Sequence, residues 1–223
     1  MGSTSEFISE FGSLLAQGTI DTLAMLVIST AIAYVFGLVL GIILYVTAPG
    51  GLVPARVLNS VLGWIVNMGR SIPFIILIVA VMPMTRALVG TTIGVRGVVP
   101  PLVLATTPFV ARMVEQSLSE IPPDSIEAAV ACGATVPRIV VSALLPEALP
   151  SLVRGASITL IAVLGYTAIA GAVGAGGLGD IAIRYGYYRY QDEVMLMPIV
   201  LLIVLVQVIQ SLGDMIAKSI DHR

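Results

Sequence analysis

The 223-residue chain has one cysteine, one histidine, one tryptophan and one lysine, and charged residues make up only 11% of it. A lone cysteine, Cys132, excludes an internal disulfide and a cysteine-rich metal site. The lone histidine, His222, lies at the C-terminal end, far from any place where a buried base or a zinc ligand would stand. The only lysine, Lys218, is not preceded by a glycine-rich phosphate loop, so no nucleotide-hydrolysing site of that type is present. Eleven basic residues against 13 acidic ones form no basic patch for nucleic acid. The N-terminal stretch carries Glu6, Glu10 and Asp21 and no basic residue, unlike a cleaved export signal.

What is abundant is apolar. Hydrophobic residues account for 57% of the chain, and the mean hydropathy is +1.04. That composition excludes a water-soluble domain and disorder alike, and leaves an all-α integral membrane protein. No charge falls between Asp21 and Arg56, between Arg154 and Asp180, or between Glu193 and Asp214. Each gap holds the ~20 residues of a membrane-spanning helix. The gaps Arg70–Arg86 and Arg96–Arg112 are shorter and need snorkelling arginines to complete a span. The chain thus reads as a polytopic membrane protein of five transmembrane helices, near 19–46, 68–88, 96–118, 151–172 and 194–214, in one transmembrane domain covering 1–223. The second and third contain Pro73, Pro83, Pro100, Pro101 and Pro108. Interrupted apolar helices accompany transport pathways, and equally accompany plain helix irregularity.

Five spans put the termini on opposite faces. With the N-terminus outside, Arg56, Arg70, Arg112, Arg138, Arg154, Lys218 and Arg223 are cytoplasmic, against Arg86, Arg96, Arg184 and Arg189 outside. That is the sense of the positive-inside rule. Residues 53–66, with Trp64, suit an interfacial helix before the second span.

The longest loop, 119–150, is then cytoplasmic. Pro122 and Pro123 stop the preceding helix, Asp124 with Glu127 fits a capping box, and Gly133 suits a helix C-cap. The short helix between them, 125–132, is rich in Ala128, Ala129 and Ala131. So small a surface suits docking against a partner groove, and is also what a plain loop helix looks like. A second short helix starts at Thr135–Pro137 and stops at Pro146.

Glu127-Ala128-Ala129, Gly133, Ala143 and Leu145-Pro146 together resemble the EAA motif of ATP-binding-cassette importer permeases, with Ala143 where that family usually has isoleucine. Arg70–Leu77, the glycine-rich run 170–180 and Arg184-Tyr185-Gly186-Tyr187 resemble the five-span permease of the bacterial methionine importer. The resemblance implies the importer-permease fold and a non-enzymatic transport subunit in the bacterial inner membrane. It implies a homodimer whose two EAA helices, through Glu127, Ala128, Ala129 and Gly133, each dock an ATPase subunit. ATP and magnesium would sit on that partner, with no cofactor on this chain, and a separate binding protein would deliver methionine from outside. A symmetric dimer also solves a problem that five helices alone leave open, since ten can enclose a path on their two-fold axis.

Tyr166 and Thr167 are the main polar side chains inside the fourth span and either line the path or bond a neighbouring helix. Arg184, Tyr187 and Arg189 belong to an outer aromatic-basic cluster, suited to an interfacial belt, to contact with the binding protein, or to both. Arg112 and Glu115 are spaced to pair on one helix face. Gly174–Gly179 satisfies a dinucleotide fingerprint but follows a membrane helix instead of a strand, so it reads as a tight turn. Gly177-Leu178-Gly179-Asp180 spells the GxGD of intramembrane aspartyl proteases, the one enzymatic alternative; it lacks a second aspartate placed to face Asp180 inside the bilayer.

Overall fold

The structure is a computed structural model, and it describes residues 4–221, with side chains from Phe11 onward. His222 and Arg223 lie outside the described residues. Among the described residues ten α-helices follow one another: α1 (Thr4–Thr47), α2 (Arg56–Ser71), α3 (Phe74–Ala80), α4 (Met82–Val89), α5 (Gly94–Ser119), α6 (Pro123–Ala131), α7 (Val136–Ile139), α8 (Leu145–Gly171), α9 (Gly177–Ile181) and α10 (Asp192–Ile220). Two π-helical segments, Val140–Leu144 and Ala182–Tyr187, extend α7 and α9. Four helices are long and apolar enough to span a membrane, or five if the α2–α3 pair counts as one broken span.

The second expected span, 68–88, is not one helix. Pro73 sits extended (φ −57°, ψ 133°) at the N-terminus of α3, and Gly90 turns left-handed (φ 78°) to end α4. A proline and its predecessor disfavour continued helix, so the chain breaks there. The expected interfacial helix is α2, which keeps Val57, Val61, Trp64 and Met68 exposed along one side. Residues 136–171 form one continuous helix, so Pro146 does not end a second short helix as the sequence suggested. The π-helical turn Val140–Leu144 lies immediately before it. That widened turn relieves the clash a proline ring makes with the carbonyl four residues back. By contrast α5 runs uninterrupted through Pro100, Pro101 and Pro108.

The chain forms two compact units. The first comprises Met1–Ala31, Ile72–Ala105 and Leu160–Ile209. Its core is Met25, Leu26, Phe74, Ile78, Val98, Leu102, Val163 and Leu164. The second comprises Ile32–Ser71, Thr106–Thr159 and Gln210–Arg223, and therefore contains the whole 119–150 loop. Its main core includes Ala33, Val110, Val114, Leu118, Ile139 and Leu144.

Between helices in lipid, apolar burial gives little net drive, because lipid tails are as apolar as leucine; close packing of small residues takes over. In the second unit Gly37 and Gly41 of α1 provide this. A Cβ on Gly37 would stand 2.6 Å from Val110, and one on Gly41 would stand 2.6 Å from the Ala111 carbonyl oxygen. The GxxxG spacing is therefore a packing seam between α1 and α5. Asn59 adds a polar tie, donating to the Leu44 carbonyl at 2.7 Å near the C-terminus of α1, where helix carbonyls lack intrahelical partners.

Candidate functional site

The loop helix α6 begins with its N-cap at Pro122 and no side-chain cap. The capping box expected from Asp124 and Glu127 does not form. Pro123 takes the first helical turn, where its missing N–H is no loss, and shifts the start so that Asp124 lies inside that turn. There it still favours the helix dipole.

The other end follows a Schellman motif. Gly133 is left-handed (φ 74°); its N–H donates to the Val130 carbonyl at 2.9 Å, and the Ala134 N–H donates to the Ala129 carbonyl at 3.2 Å. These bonds satisfy carbonyls that a helix end leaves orphaned. The glycine spaced four residues after Ala129 is thus the residue that lets the chain turn back after α6.

Ile126 and Ala129 pack against the core containing Leu118, Ile121, Ile139 and Leu144. Glu127, Ala128 and Gly133 are exposed, as is Val130. Of the four motif residues, three face outward, while Ala129 seats the helix on its own protein. Ile126 was missed in the sequence; its signal was being the one bulky apolar residue before the alanines. Next to the loop, Arg112 pairs with Glu115 at 2.5 Å, as their spacing predicted, and its guanidinium also donates to the Gly63 carbonyl at 3.4 Å.

In the first unit, Tyr166 is half-buried and stacks on Phe74, with ring centroids 4.8 Å apart. Phe74 is the partner that the sequence did not disclose. Thr167 is buried, and its hydroxyl donates to the Leu164 carbonyl of its own helix at 2.7 Å.

Past α8 the glycine run folds as a tight turn. Gly174, Gly176 and Gly177 all have positive φ. A Cβ on Gly179 would stand 2.3 Å from the Ala168 carbonyl oxygen, and one on Gly177 would stand 2.7 Å from the Thr22 hydroxyl. Asp180 pairs with Arg184 at 2.9 Å, so its carboxylate is engaged one turn along. Arg189 lies over the Tyr185 ring, 4.6 Å from its centroid, an attractive cation–π geometry. Phe11 meets the same ring edge-on at 6.1 Å. Arg184, Tyr187 and Arg189 are all exposed.

Residues 37–222 match the family described as binding-protein-dependent transport system inner membrane component. The chain belongs to this family of importer permeases. The D-methionine transport system permease MetI of Escherichia coli is 50% identical over 158 residues, covering 71% of this chain and 73% of that one. The probable MetI of Vibrio cholerae is 47% identical over 210 residues, 94% of this chain and 93% of its own. The methionine import permease MetP of Bacillus subtilis is 42% identical, covering 81% and 82%. A solved structure of the MetNI methionine transporter in inward-facing conformations matches with a TM-score of 0.95 at 47% identity, over the whole of both chains. An amino acid transporter solved with histidines shares the fold alone, at 17% identity and a TM-score of 0.79. Nothing in these similarities supports the protease alternative.

Proposed function

We propose that this permease forms the translocation path for methionine and couples its import to ATP hydrolysis on a separate subunit. The observation that carries the reading is the pairing of whole-chain identity to methionine permeases with an exposed Glu127-Ala128 surface ended by a Schellman turn at Gly133. One transmembrane permease domain would work as a homodimer. Each copy would present α6, through Glu127, Ala128, Ala129 and Gly133, to one ATPase subunit that holds the ATP and magnesium. The chain itself would be no enzyme and would carry no cofactor.

Tyr166 is our choice for the path, with Phe74 behind it. Thr167, whose hydroxyl is used inside its helix, would join the path only when that helix rearranges. Arg184, Tyr187 and Arg189 would meet an extracytoplasmic binding protein, with the N-terminus outside and the C-terminus in the cytoplasm. ATP binding would draw the two α6 helices together, and the reciprocal linkage of binding energies would transmit that motion to the path.

The test is methionine uptake into proteoliposomes that hold the permease, its ATPase and its binding protein, run with both stereoisomers. ATP-dependent uptake of either isomer supports the reading. ATP-dependent uptake of another amino acid with neither isomer taken up overturns the substrate; no uptake of any solute overturns the importer role.

A further inference from the structure

The segment that carries α6 leaves the helical scaffold after α5 and rejoins it in the continuous helix 136–171. The α5 end of the segment meets the body of that helix through side chains. The Ser151 hydroxyl lies 2.8 Å from Oε2 of Glu120 and 3.1 Å from the Ser117 hydroxyl. A serine hydroxyl has one proton to give. The carboxylate accepts only, so Ser151 donates to Glu120 and takes its second bond from Ser117. The result is a chain of bonds from α5 through α8 to the first residues of the loop. Ser117 is only 3% exposed, so its bond is shielded from competing water. One turn further along α8, Arg154 reaches Asp221 after the end of α10 at 2.8 Å. The cleft among these groups is about 30 Å³, room for a water and for no solute.

We propose that Ser151 is a positioning residue for transport, clamping the α5 end of the α6 segment to α8 so that a push on α6 moves α5 and α8 as one. The proposal rests on the importer reading given above. Without the clamp, α6 still docks the ATPase and still moves, but part of its displacement is lost in the loop.

The experiment measures ATP hydrolysed and methionine taken up in the same proteoliposomes, with the full complex of permease, ATPase and binding protein. Ser151→Ala is expected to preserve assembly and basal hydrolysis and to raise the ATP consumed per methionine by about fivefold or more. Ser151→Thr returns the hydroxyl and is expected to restore the wild-type ratio. A wild-type ratio in S151A overturns the clamp, and so does a failure of S151T to restore it. If S151A does not assemble, Glu120→Ala removes only the exposed carboxylate, and a wild-type ratio there overturns the clamp equally. Wild-type vesicles that import no methionine overturn the importer reading instead. The clamp is then read by amide hydrogen exchange around Ser117, Glu120 and Ser151, where unchanged protection in S151A overturns it.

Discussion

The Thr22 hydroxyl accepts the backbone N–H of Leu178 at 2.9 Å while donating its own proton to the Gly18 carbonyl at 2.8 Å. One buried side chain on α1 thereby holds the start of α9, the helix that follows the glycine turn. The turn approaches closely enough for this only because Gly177 has no side chain.

Thr22→Val keeps the shape and removes the acceptor. A buried N–H left unpaired costs about 1–3 kcal/mol. The variant is expected to unfold at lower temperature in detergent, and Thr22→Ser to stay near wild type. Equal melting of T22V and wild type would refute the role of the bond.

Gly133→Ala tests the end of α6. Nothing stands within 4 Å of the added Cβ, so the penalty is backbone strain alone, about 1–2 kcal/mol for a left-handed residue with a side chain. ATPase recovered with the tagged permease is expected to fall, and Gly133→Asn, which tolerates that conformation, to recover more of it. The check is the subunit ratio after purification.

Glu127→Arg reverses the exposed charge on α6 while leaving Ile126 and Ala129 seated. We expect ATPase binding to weaken tenfold or more, about 1.4 kcal/mol, with the fold intact. Titration of the ATPase onto the solubilised permease reads it directly.

Both glycines of the α1–α5 seam are expected to resist a side chain. A Cβ on Gly37 stands 2.6 Å from the Val110 Cβ, and one on Gly41 stands 2.6 Å from both the Ala111 carbonyl oxygen and the Val114 Cβ. None of these atoms can rotate aside, so each alanine must push the helices apart, and overpacking costs about 1–3 kcal/mol. Gly37→Ala and Gly41→Ala are each expected to melt at lower temperature in detergent, and wild-type melting of either refutes the seam at that position.

Asp180→Ala removes an exposed i, i+4 pair with Arg184, worth about 0.3–0.5 kcal/mol. Uptake is expected to stay within a factor of two. A protease built on Gly177–Asp180 would instead lose all activity.

The apolar gaps between charges located four of the five expected spans in long apolar helices and set the bounds of α5 to within two residues, while α1 already begins at Thr4, the helix of the fourth span begins at Val136 and α10 runs on to Ile220. Segment length and charge are local properties, and membrane insertion depends on little else. Gly133 was legible as a cap because a left-handed turn is a local demand. The Arg112–Glu115 pair was legible because one helix sets its spacing.

Other features depended on residues far apart in the chain. Pro73 divides the second span, whereas Pro146 lies within the continuous helix 136–171 and Pro108 within α5. The outward set on α6 became Glu127, Ala128 and Gly133 once Ile126 and Ala129 found the core formed by Leu118, Ile139 and Leu144. Tyr166 acquired Phe74, and Ser151 acquired Ser117 and Glu120. Composition and periodicity determined that this chain crosses a membrane, and local proline and glycine signals determined that its longest loop carries a short alanine-rich helix. Tertiary packing alone decided which face of that helix is free and which side chains hold its loop, since a side chain's partner on another helix is set by how the helices pack and not by its neighbours in sequence.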